Sequence, residues 1–111
     1  MAEYKLDELR KIQAETCKTF GNPKRLLIVE TLWDQEMSYS ELIERTGFDK
    51  VTLTQQTTYM RRKGILVSRR LGGTLMLSVA NTKILTAFGL MREVVIDKIR
   101  KDSELLSIVS R

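Results

Sequence analysis

Glycines at residues 47, 64, 72 and 73 cut the middle of this chain into pieces that can only be short, packed elements. Gly47 closes the brief run Glu41-Leu42-Ile43-Glu44-Arg45-Thr46, which Ser40 precedes as a candidate cap. Gly64 closes a longer run that begins after Asp49, a second candidate cap. Gly72-Gly73 lies between Ile65-Leu66-Val67 and Leu75–Val79, two β-prone runs. Glycine accepts the left-handed backbone that ends helices and closes tight hairpins. Ser38–Val79 therefore predicts a helix, a tight turn, a second helix and a hairpin with Arg69–Thr74 as its turn: a helix-turn-helix with a β wing.

The second helix of that pair is chemically unusual. Leu53 and Met60 mark an inward side, with either Gln56 or Thr57 between them. Lys50, Val51, Thr54, Gln55 and Thr58 are left facing outward, mostly side chains that hydrogen-bond well and pack poorly. From Lys50 through Arg92 there is no Asp or Glu, while Lys50, Arg61, Arg62, Lys63, Arg69, Arg70 and Lys83 all fall there. The net charge of +5 is a weak pointer by itself. Its concentration in an acid-free stretch points to a polyanion.

The flanks predict helices with apolar seams. Residues 3–20 carry Leu6, Leu9, Cys17 and Phe20 on one stripe, with Ile12 and Gln13 at its edge. Gly21-Asn22-Pro23 stops that helix and starts another over about Pro23–Asp34, whose crowded Leu26, Leu27, Ile28, Val29 and Leu32 predict burial, with Trp33 as a structural residue at its end. Met37-Ser38-Tyr39 is a short link that a single strand bridge would suit. A last helix is expected from Thr82 to Ser103 or further, with Ile84, Phe88, Met91, Val95 and Ile99 on one stripe. Leu85, Val94 and Ile96 widen it, and Leu105, Leu106, Ile108 and Val109 continue the apolar surface. That exceeds what one domain needs, and it predicts a dimer seam built from the first and last helices through Leu6, Leu9, Phe20, Phe88, Met91, Val95 and Ile99.

Composition narrows the alternatives. The 111 residues suffice for one domain: 1–20 and 82–111 as dimerisation helices, 38–80 as helix-turn-helix plus wing. With no histidine and one cysteine, the chain has no imidazole for metal binding or general-base work, and no intrachain disulfide. Cys17 reads as a small buried apolar residue. No catalytic constellation and no glycine-rich phosphate loop are present, so an enzyme is not expected, nor a cofactor. The charged N-terminus lacks a secretory pattern, and no apolar run approaches the ~20 residues of a membrane span, which points to the cytoplasm.

From Thr19 to Asn81 the order of features resembles the ArsR-type winged-helix transcriptional regulators. Phe20-Gly21-Asn22-Pro23-Lys24-Arg25-Leu26-Leu27-Ile28 is similar to that family's leu-gly-asp-pro-thr-arg-leu-x-ile opening. Tyr39-Ser40-Glu41-Leu42 with Gly47 resembles its short helix and turn, and Val51-Thr52-Leu53-Thr54-Gln55-Gln56 its ser-thr-val-ser-x-his start of the recognition helix. Arg62-Lys63-Gly64-Ile65-Leu66 resembles its x-x-gly-leu-val ending. The chain departs from the family near Ser40, which lacks a Cys-x-Cys pair, and in the last helix, which lacks an Asp/His/His/Glu set. Metal sensing is therefore not carried over. Thr57 stands where the family usually has leucine.

The resemblance implies a homodimeric regulator of double-stranded DNA, preferring an inverted repeat. The residues expected at DNA are Lys50, Val51, Thr52, Thr54, Gln55 and Thr58 on the helix, Arg61 and Arg62 at its end, and Arg69, Arg70, Gly72 and Gly73 on the wing. Two other readings stay open: a sequence-tolerant chromosomal DNA-binding protein, and a winged helix kept only as a protein-interaction module. The apolar seam would also have room for a small-molecule effector, which nothing in the sequence identifies.

Overall fold

The computed structural model describes residues 3–102 and 107–109. Ser103, Leu105 and Leu106, which the sequence assigns to the tail, lie outside the described residues. The chain divides into two compact units, Met1–Asn81 and Thr82–Arg111.

The first unit carries helices α1 (Glu3–Thr19), α2 (Pro23–Leu32), α3 (Tyr39–Thr46) and α4 (Lys50–Arg62), with strands β1 (Met37–Ser38), β2 (Leu66–Leu71) and β3 (Thr74–Val79). The strands form one antiparallel sheet in the order β1-β3-β2. Ile28, Val29 and Leu32 of α2, Leu42 of α3, Leu53 and Met60 of α4, and Met37, Leu66 and Leu77 of the sheet make the core, each at most 1% exposed. The second unit is built on α5 (Thr82–Arg100).

Local chemistry sets the boundaries. Asn22 caps α2 by accepting a bond from the Lys24 amide, and Pro23 opens the helix. Ser38, not Ser40, caps α3: its hydroxyl accepts from the Glu41 amide while the Glu41 carboxylate accepts from the Ser38 amide. This reciprocal box satisfies two end-of-helix donors at once, whereas Ser40 already has helical neighbours on both sides. Gly64, at φ 76°, ends α4 in a Schellman turn, with the Ile65 amide bonding the Met60 carbonyl and the Gly64 amide that of Arg61. Gly72 and Gly73, both at positive φ, close a two-residue hairpin of the kind whose twist matches paired strands. Arg69 and Arg70 therefore lie in β2, paired with Met76 and Leu75, rather than in the turn.

Cys17, expected inside, is outside, and Trp33, expected as a structural residue, is partly exposed. Helix α2 stops at Leu32 because Trp33 adopts φ 50° and ψ −120°, the first central position of a type II′ turn closed by the Gln35 amide on the Leu32 carbonyl. That flip leaves the indole 40% exposed. A bulky side chain at positive φ is a backbone outlier. Cys17 is exposed as well, because α1 turns Thr19 inward and the Thr19 hydroxyl bonds back to the Glu15 carbonyl. Leu26 and Leu27 are half-buried.

Candidate nucleic-acid interface

Helix α4 is rotated so that Leu53, Thr57 and Met60 are fully buried. Thr57, not Gln56, fills the polar inward position. Its hydroxyl donates to the Leu53 carbonyl at 2.8 Å and lies 3.0 Å from the Tyr39 hydroxyl. A threonine suits this site because both lone-pair and proton needs are met inside the helix pair.

With that side fixed, Val51, Gln55, Thr58 and Arg62 fall on the opposite side of the helix, since residues three and four apart stack on one face. All four are exposed, as are Lys50, Thr54 and Arg61 on the flanks; Thr52 is half-buried. The N-terminus of this face is held by Asp49, whose carboxylate accepts the Thr52 amide at 2.7 Å. Hydrogen bonds from Thr52, aided by the Lys24 charge, hold the Asp49 carboxyl below the usual aspartate range. The preceding turn is pinned by Thr46, whose hydroxyl donates to the Leu42 carbonyl and accepts the Phe48 amide.

Helix α4 is also tied to α1 through Arg25 of α2. The Arg25 Nε donates to the Thr19 carbonyl at 2.5 Å, one guanidinium nitrogen bonds Gln56 Oε1 at 3.2 Å, and the other reaches the Lys18 carbonyl at 3.5 Å. The same guanidinium stacks 4.5 Å from the Tyr59 ring centroid, while Lys63 approaches that ring and bridges to Glu15. Sequence reasoning missed this knot, although Arg25 belongs to the motif quoted for the family resemblance.

The wing projects past the core, with Leu71, Gly72, Gly73 and Thr74 all exposed. Arg70 folds over its tip, donating to the Gly73 carbonyl at 3.0 Å. Arg69 makes a bidentate pair with Glu36 at 2.6 and 2.7 Å, reaching across the central strand β3. Hydrogen bonds and charge from Arg69 hold the Glu36 carboxyl below the usual glutamate range, and Arg69 is raised in turn. The acid-free run thus has upstream acids folded back onto it, Glu36 on Arg69 and Glu15 on Lys63.

Of the expected dimer residues, Leu6 and Leu9 of α1 and Met91 and Val95 of α5 are exposed, whereas Phe20, Phe88 and Ile99 are half-buried. Arg92 lies over the Phe88 ring at 4.9 Å. Among the described residues no group of three or more His, Cys, Asp or Glu is placed to hold a metal ion.

No family model matches the chain. It is similar to an HTH-type transcriptional regulator of Mycobacterium tuberculosis, Rv0081, being 33% identical over 89 residues that span 79% of this chain and 78% of that protein. The crystal structure of Rv0081 matches with a TM-score of 0.78 at 30% identity, over 86% of this chain and 96% of that one. A biofilm growth-associated repressor of Xylella fastidiosa is 40% identical over 57 residues, 51% of this chain and 50% of the repressor. The homodimeric winged helix-turn-helix DNA-binding domain of Mb0332 from Mycobacterium bovis has a TM-score of 0.80 over 91% of this chain and 93% of that one; at 21% identity that likeness is one of fold.

Proposed function

The chain belongs to the HTH-type transcriptional regulators of winged-helix, ArsR-like form, and we propose that it binds double-stranded DNA as a homodimer, with α4 in the major groove. The observation that carries this is the face of α4 opposite Leu53 and Met60: exposed, rich in hydrogen-bonding groups, and free of acids. Base edges in the major groove are read by such side chains. Gln55 can bond adenine bidentately, Thr54 and Thr58 can bond either base type, and Lys50 reaches guanine or phosphate. Arg61, Arg62, Arg69 and Arg70 supply phosphate contacts, and the Gly72-Gly73 tip lets the wing backbone approach the duplex.

The dimer is supported by apolar surface that each terminal helix leaves uncovered. Leu6, Leu9 and Ile12 of α1 are exposed, as are Leu90, Met91, Val94 and Val95 of α5. Contiguous apolar patches of this kind mark association surfaces. A two-fold dimer would set the two α4 helices about one DNA turn apart, roughly 34 Å, and so prefer an inverted repeat. The relatives are regulators, and we assign the chain no reaction; its place of work is with the DNA in the cytoplasm.

Selection of bound duplexes from a random library, at low and moderate salt, tests this. An enriched inverted repeat is expected. Binding without enrichment would instead mark a sequence-tolerant chromosomal protein, and no binding at low salt would leave a protein-interaction module.

A further inference from the structure

Val51 is 67% exposed and sits in the first turn of α4, at the N-terminal end of the proposed groove-facing strip with Gln55 and Thr58. A lone exposed valine is ordinary on a protein surface. This one is different in its surroundings. Lys50, Thr54 and Gln55 beside it are polar or charged. An isopropyl group thus stands in a hydrogen-bonding strip, where it gains nothing from water.

The side chain is also held in place. Asp49 fixes the first turn by accepting the Thr52 amide at 2.7 Å. Branching at Cβ leaves a helical valine one strongly preferred rotamer. A rigid apolar knob in such a strip needs an apolar partner on the opposing surface. Among base edges in the major groove, that partner is the 5-methyl group of thymine.

We infer that Val51 is a specificity-determining residue that packs against the 5-methyl group of a thymine in each half-site, resting on the proposed entry of α4 into the major groove. The contact selects by shape and burial. Cytosine at the same step lacks the methyl, so the apolar side chain meets nothing there.

Deoxyuridine provides the test, because it removes the methyl group and leaves every hydrogen-bonding group of the base in place. Thymines of the selected duplex are replaced one at a time, and binding is measured for the wild-type chain and for Val51→Ala, a change at an exposed helical position that favours folding. One thymine per half-site should lower wild-type affinity roughly four-fold when its methyl is removed. At that position Val51→Ala should bind the thymine and uracil duplexes equally. Wild-type indifference to uracil at every thymine, a selected site without thymine, or a Val51→Ala chain that keeps the full methyl effect would each overturn the assignment while leaving the DNA-reading role of α4 intact. Failure to enrich any duplex would remove that role and the assignment together.

Discussion

The Tyr39 hydroxyl lies 3.0 Å from Thr57 Oγ1, joining the first residue of α3 to the buried side of α4. Thr57 already donates its proton to the Leu53 carbonyl, so Tyr39 is the donor between the two hydroxyls. This bond fixes how α4 is rotated within the helix pair. Thr57→Val keeps the shape and removes the acceptor, and should lower stability by about 1–2 kcal/mol. A lower urea midpoint at unchanged m value is the readout. Adding Tyr39→Phe should cost less than the sum of the single changes. Strictly additive losses would show that the two hydroxyls do not act as a pair.

Arg25 gathers the end of α1 and the middle of α4 under one guanidinium. Lysine cannot reproduce that fork or its stacking on Tyr59. Arg25→Lys should therefore destabilise the chain by about 1–2 kcal/mol, more than Gln56→Ala, which removes one arm only. Equal losses in thermal unfolding would assign the whole effect to the Gln56 bond.

Glu36 holds both arms of the Arg69 guanidinium, and in the proposed complex it would compete with DNA phosphate for them. Glu36→Gln should strengthen binding to every duplex and steepen the salt slope by about one unit, while Arg69→Ala should weaken all duplexes and flatten it by about as much. Weaker binding by Glu36→Gln at all salt concentrations would mean that the acid instead aims Arg69 at the backbone.

Acid should loosen the Glu36–Arg69 pair and the Asp49 cap of α4. Glu36 and Asp49 ionise more readily in the folded chain, through Arg69 and through the Thr52 hydrogen bonds respectively. Their stabilisation is complete above the ordinary values of 4.5 and 3.8, and is lost as pH falls through the lowered folded values. The stability gap between wild type and Glu36→Gln or Asp49→Asn should accordingly close toward low pH in denaturation curves. A gap that stays constant to pH 3 would contradict this.

Much of the frame was legible because it rests on local chemistry. Gly47, Gly64 and Gly72-Gly73 end elements where left-handed backbone is required, and Asp49 caps α4 with an amide three residues away. What escaped depends on distance in sequence or on a single backbone torsion. Periodicity left Gln56 and Thr57 equal, and contacts distant in sequence separate them: Tyr39, 18 residues upstream, meets Thr57, while Arg25 meets Gln56. Arg69 reads as an unopposed cation until the sheet order brings Glu36 within its reach. Trp33 follows a run dense enough to predict burial, yet one positive φ turns it outward. The residues proposed to face the groove are a different case: their exposure follows from helical spacing, whereas the roles proposed for them at DNA rest only on the chemistry of base edges.

In the proposed complex the outer face of α4 reads bases. The most direct test of that role is the affinity of Gln55→Ala for the selected duplex and for an unrelated one of equal length. A loss of about five- to a hundred-fold is expected on the selected duplex and almost none on the other. The same loss on both duplexes would contradict it.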